Sequence, residues 1–187
     1  HILAEYLNSF EEVNIEWLLS DRMPDFLSEN LDCAIKVGNV DDPNLVAIKI
    51  LELPRVIVAS SKLVSDPKQY THPEELKNFN WLSFKLHYQN HISLFHNKTR
   101  QKFNLDISPR FSTDNLFSIR EAASMGLGIG VLSKWVIEKD LKDGALVQLC
   151  KDWEAPKLPV YLIYPQSQQR PAKLQKFIDL IKANTSL

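Results

Sequence analysis

Asp114-Asn-Leu-Phe-Ser-Ile-Arg-Glu-Ala-Ala-Ser-Met-Gly-Leu-Gly-Ile-Gly-Val-Leu-Ser133 reads as a capped helix, a glycine-rich turn and a buried strand in direct succession. Thr113, Asp114 and Asn115 stand just ahead of the helical run. One of them is expected as the N-cap, its side-chain oxygen holding a first-turn N–H that has no partner within the helix. Gly126 falls where the helix should end in a left-handed cap. Three of the chain's five glycines, Gly126, Gly128 and Gly130, lie here. They are not a dinucleotide-binding fingerprint, because they follow a helix and precede a strand, the reverse of the order that motif requires. Helix starts attract anions, and Gly128 would leave main chain open on one side. The unit therefore implies a cleft for a small molecule, with no side chain in it equipped for covalent chemistry.

Outward from this stretch, helical and strand periodicities alternate. Ile2, Leu3, Tyr6, Leu7 and Phe10 recur at helical spacing, whereas Val13, Ile15 and Trp17 alternate with polar residues as a strand does. Pro24 and Asp25 should start a short helix through about Asn30, and residues 32–37 form a strand stopped by Gly38. Two runs, 46–51 and 55–59, read as strands, the second β-branched at Val56, Ile57 and Val58 and so buried on both faces. A short helix over 73–79 carries Glu74 and Glu75 at its favourable end. Strands follow at 81–84 and 103–107, separated by a polar loop or hairpin arm. After the glycine turn come a helix at 134–141, strands at 145–149 and 159–164, and a helix at 172–183. This order predicts an α/β fold with largely parallel sheets.

Composition excludes several classes of function. With 22 Lys and Arg against 23 Asp and Glu, the net charge is −1. The basic residues are scattered, so this segment alone has no footprint for nucleic acid. No apolar run approaches the length of a membrane span, and a cytoplasmic location is expected. Cys33 and Cys150 both sit in apolar strand-like segments and read as free thiols. His87, His91 and His96 lie close in sequence, but no acid or thiol completes a metal motif, so neither metal nor cofactor is expected. The four tryptophans, Trp17, Trp81, Trp135 and Trp153, read as packing anchors. There is no serine elbow, no cysteine–histidine pair in motif context and no paired-carboxylate signature, so no enzyme activity is expected.

The strands at 55–59 and 160–164 bracket everything between them. If the last helix packs back on the first lobe, the chain makes two Rossmann-like α/β lobes joined by two crossover strands. Lobe I would comprise residues 1–58 and 165–187, and lobe II residues 59–164. Ligands of open α/β sheets lie beyond the carboxyl ends of strands. Ser20, Asp21, Gly38 and Asn39 occupy such ends in the first lobe. Ser83 and Phe84 do so in the second, beside Thr113, Asn115 and Gly128.

Taken in order, these pieces resemble the effector-binding domain of LysR-type transcriptional regulators. The similarity is carried by Asp25-Phe-Leu-Ser-Glu-Asn-Leu-Asp-Cys-Ala-Ile-Lys-Val-Gly38, Leu45-Val-Ala-Ile-Lys-Ile-Leu51, Val56-Ile-Val-Ala-Ser60, Trp81-Leu-Ser-Phe84, Ala122-Ala-Ser-Met-Gly-Leu-Gly-Ile-Gly-Val-Leu132, Asp143-Gly-Ala-Leu-Val147 and Tyr161-Leu-Ile-Tyr-Pro165. The resemblance implies a fold like that of a type 2 periplasmic binding protein. It also implies a small effector, often a carboxylate, held between the lobes, and a homodimer or tetramer. DNA would be bound only through a winged helix-turn-helix that these residues do not include, and the first strand usual in the family is absent as well. A solute-binding protein of a transport system, built on the same fold, is the alternative. A small-molecule enzyme on two such lobes is the more distant one.

Overall fold

The computed structural model describes residues 2–20, 22–166 and 171–184. Along the chain run α1 (Ile2–Ser9), β1 (Ala34–Val37), β2 (Leu45–Ser60), β3 (Trp81–Phe84), β4 (His91–His96), β5 (Lys102–Asp106) and β6 (Pro109–Thr113). They are followed by α2 (Leu116–Ser124), β7 (Gly130–Ser133), α3 (Lys134–Lys142), β8 (Leu146–Leu149), β9 (Trp153–Pro165) and α4 (Ala172–Asn184). The chain divides into two compact units, His1–Glu52 with Pro159–Leu187 and Leu53–Leu158. The long strands β2 and β9 each run from one unit into the other.

In the first unit, α1 lies on α4. The buried Tyr6 ring meets Phe10 and Phe177 with centroids 5.2 and 5.1 Å apart, and its hydroxyl donates to the Lys173 carbonyl at 2.7 Å. Leu174, Ile178 and Ile181 turn the expected apolar face of α4 inward. β1 pairs antiparallel with β9, Ala34 opposite Ile163 and Val37 opposite Val160.

Two expectations fail in this unit. Residues 13–20 form no strand, although their alternation is strand-like, and Trp17 and Leu19 are 59% and 89% exposed. Alternation shapes a face, but a strand exists only where a neighbour takes up its N–H and C=O groups. Among the described residues no ladder forms there. The helix expected over residues 24–30 shrinks to one turn. The Asp25 carboxylate accepts from the N–H groups of Leu27 and Ser28, and Leu31 N–H closes back on Phe26 O at 3.0 Å. Asn30 stops the turn at φ 50°.

The second unit is built around the far half of β2. Val56, Ile57, Val58 and Ala59 are wholly buried, flanked by β7 on one edge and β8 on the other. Both pairings are antiparallel, as are the hairpin of β4 with β5 and the short pairing of β4 with β9. β3 with β6 is parallel, extended by the Trp81–Ile129 bridge. Among these described pairings the predicted predominance of parallel pairs is therefore not found. Short connections set the directions: β7 passes into α3 with no loop at all, and the β4–β5 turn reverses the chain within a few residues. Buried Trp81 and Trp153 anchor the core, whereas Trp135 is half exposed, as Trp17 is in the first unit. The segment expected as a helix over 73–79 is a 3₁₀ turn at Pro73–Leu76, held by a reciprocal cap between His72 and Glu75.

Candidate functional site

The carboxyl ends of the parallel pair β3–β6 bring four of the expected site residues together. Phe84 stands opposite Thr113, Ser83 opposite Ser112, and Lys85 N–H bonds to Thr113 O at 2.9 Å. The chain then turns at once into α2. Of the three candidate caps, Asn115 takes the position: its Oδ1 accepts from Ser118 N–H at 2.8 Å and from the Ser118 hydroxyl at 3.1 Å. Thr113 Oγ1 accepts from Asn115 N–H and so fixes the entry into the helix. Ser83 is buried, and its hydroxyl donates to Tyr88 O at 2.7 Å. Phe84 is buried in the core against His87. In this structure both serve the unit's interior.

Gly126 and Gly128 are required for different reasons. Gly126 has φ +80° and closes α2: its N–H bonds to Ala123 O, and the next N–H, of Leu127, bonds to Ala122 O. Gly128 is a close approach. A Cβ there would lie 2.4 Å from Asn80 O, on the side where Ile129 N–H bonds to that same carbonyl. The face where its side chain would project is thus filled by this chain's own β3 edge, where the sequence suggested room for a ligand.

Ser20, Gly38 and Asn39, expected in the first unit, lie in loops. Ser20 is exposed and accepts from Arg22 N–H at 3.2 Å. Gly38 is buried, its N–H donating to Pro159 O at 2.8 Å, and Asn39 is exposed. Asp21 lies outside the described residues. No group of three His, Cys, Asp or Glu residues comes together for a metal ion among the described residues. Cys33 and Cys150 are free, and burial pushes their thiols up to about 11 and about 12.

Sequence reasoning passed over a recess of about 200 Å³ in the second unit, with Arg55, His87, Tyr88 and His91 in its walls. Arg55 is only 8% exposed. Its Nε donates to Pro156 O at 2.8 Å, and it makes no ion pair among the described residues. Burial lowers its pKa, opposed by the Tyr88 hydroxyl. Tyr88 is itself saturated: its hydroxyl accepts from Val131 N–H at 3.0 Å and faces the carbonyls of Leu82 and Val131. Burial pushes its phenol up to about 12. His91 Nδ1 meets Asp106 at 2.8 Å. The signal in the sequence was an arginine at the head of the apolar run 55–59.

Comparison with known proteins places this arrangement. The family model for the LysR substrate binding domain matches residues 1–186. The chain is 22% identical over 181 residues to the HTH-type transcriptional regulator PtxR of Pseudomonas aeruginosa, covering 97% of this chain and 58% of that protein. It is 27% identical over 183 residues to the probable HTH-type transcriptional regulator SinR of Salmonella typhimurium, covering 95% of this chain and 58% of that protein. The chain thus spans under two thirds of the length of these relatives. The full-length structure of the Vibrio cholerae virulence activator AphB superposes with a TM-score of 0.80 at 27% identity, over 99% of this chain and 62% of AphB. The regulatory domain of CrgA from Neisseria meningitidis shares the fold, with a TM-score of 0.76 at 20% identity, over 99% of this chain and 90% of that one. The fold is the α/β, type 2 periplasmic-binding-protein-like one that the sequence suggested, and the chain belongs to the LysR substrate-binding-domain family.

Proposed function

We propose that the chain is the effector-sensing and oligomerising part of a LysR-type transcriptional regulator, with no catalytic activity of its own. The observation that carries this reading is the family match over 1–186, joined to relatives that are transcriptional regulators longer than this chain. A small effector, a carboxylate among the candidates, would bind and favour one arrangement of the regulator through its differential contacts. DNA would be gripped by a helix-turn-helix outside these residues, in a homodimer or tetramer, in the cytoplasm. No helix among the described residues is long and apolar enough to cross a membrane. The transport-protein alternative is not favoured, since the relatives named above are regulators.

The test uses the full-length protein. Mobility-shift titration on DNA upstream of its own gene should give a discrete, salt-sensitive complex, and a panel of small organic acids should shift the midpoint for at least one member. A folded full-length protein that binds no DNA above the non-specific level would overturn the reading.

A further inference from the structure

The recess in the second unit has one charged anchor and an apolar wall. Arg55 is nine-tenths buried on β2, and among the described residues no carboxylate side chain lines the space. Its Nε is engaged by Pro156 O, and its two terminal amino groups make no hydrogen bond among the described residues. A guanidinium in that state has its end-on edge left over. This is a planar two-pronged donor, matched to the two oxygens of a carboxylate. A buried cation of this kind ordinarily has a counter-charge, because desolvating it alone is costly. The neighbouring polar groups do not supply one: the Tyr88 hydroxyl is committed to Val131 and Leu82, and the Ser93 hydroxyl donates to Asn104 Oδ1 at 3.0 Å. Four further lining residues, Ile92, Val131, Ala155 and Pro156, are apolar.

From this geometry we infer that the recess binds a small monocarboxylate, its two oxygens on the end-on edge of Arg55 and its short apolar tail against Ile92, Val131, Ala155 and Pro156. The volume of about 200 Å³ is well above what a single water needs, so the recess has room for a small organic acid. A phosphate offers the same charge but no apolar tail, and the four apolar side chains would face it without gain. The inference deepens the sensing role proposed above and builds on it, but it concerns a site that the second unit makes from its own residues.

The experiment is a titration of the isotope-labelled 187-residue chain with sodium propionate, sodium acetate and inorganic phosphate at constant ionic strength, followed by amide NMR shifts. Propionate should give saturable shifts centred on Ser93, Val131 and Ala155, with acetate weaker and phosphate weaker still. Arg55→Gln should weaken propionate by about tenfold or more, the loss expected for one charge-assisted pair, and Arg55→Lys should recover only part of it. Phosphate saturating the same amides more tightly than propionate would overturn the carboxylate assignment. Shifts that do not saturate, or that centre elsewhere on the wild-type chain, would overturn the site, and this readout does not depend on whether the variants fold. Such a failure would leave the regulator reading intact, because that reading is tested on DNA.

Discussion

Tyr88 shows how much one side chain can hold. Its hydroxyl satisfies the buried N–H of Val131 and so ties the turn after β3 to β7. Tyr88→Phe keeps the ring but strands that donor, and a loss of about 1–3 kcal/mol is expected by chemical denaturation. The pH dependence has a definite sign. The phenol is raised from its usual 10.0 to about 12 in the folded chain, so the native state holds this proton more tightly than the unfolded one. The benefit is complete below pH 10 and is lost as pH rises toward 12. The stability gap between wild type and Tyr88→Phe should accordingly narrow across that interval, and a gap that stays constant would contradict the assignment. The cysteines give a second residue-scale test. With thiols at about 11 and about 12, few thiolates exist at pH 8. Maleimide labelling followed by mass spectrometry should find both slow in the native chain, half-buried Cys33 reacting before Cys150, and both fast in denaturant.

At the scale of elements, the glycine turn and the α2–α3 contact separate two kinds of cost. Gly126→Ala meets no atom closer than 3.8 Å and loses only backbone comfort at φ +80°, about 1–2 kcal/mol. Gly128→Ala drives a methyl into Asn80 O and should cost about 3 kcal/mol or prevent folding; the order of the two melting temperatures checks this. Arg120 grips Asp140 with both prongs, at 2.6 and 2.7 Å. The arginine is the more exposed partner, its side chain 29% accessible against 11% for the aspartate. Arg120→Ala leaves a buried carboxylate alone and should therefore destabilise more than Asp140→Ala, whose arginine can turn to solvent. Equal losses would argue against that burial asymmetry. These elements also show what could be read in advance. A helix cap within Thr113–Asn115, the C-cap at Gly126 and the buried run 56–59 were legible because each is set by local rules or by unbroken apolar character; that Asn115 takes the cap is seen only in the structure. The pairing directions and the fate of residues 13–20 were not, since both depend on which distant strand arrives alongside. Ser83 was read as ligand-facing from its place at a strand end, and Gly128 from its bare main chain in the glycine turn. Their real neighbours, Tyr88 O and Asn80 O, come from segments whose approach no local pattern encodes. Arg55 was missed because a strand-embedded arginine looks like an edge residue until its burial is known.

For the whole molecule, the α/β character and the passage of two long strands between two units were legible from the bracketing apolar runs, while the recess around Arg55 needs four strands, β2, β4, β7 and β9, and the turn before β4 to converge and could not be. The division of the chain has a temporal consequence. Residues 53–158 form their unit from one uninterrupted stretch, whereas the other is assembled from both ends, with α1 packed on α4. On the ribosome, the middle stretch possesses its entire complement of partners while α4 is still unmade, and domains generally fold as units during synthesis. Brief proteolysis of stalled nascent chains of increasing length should therefore protect 53–158 first. Residues 1–52 should stay cleavable until α4 leaves the exit tunnel, so that a stretch synthesised before the middle unit becomes native after it.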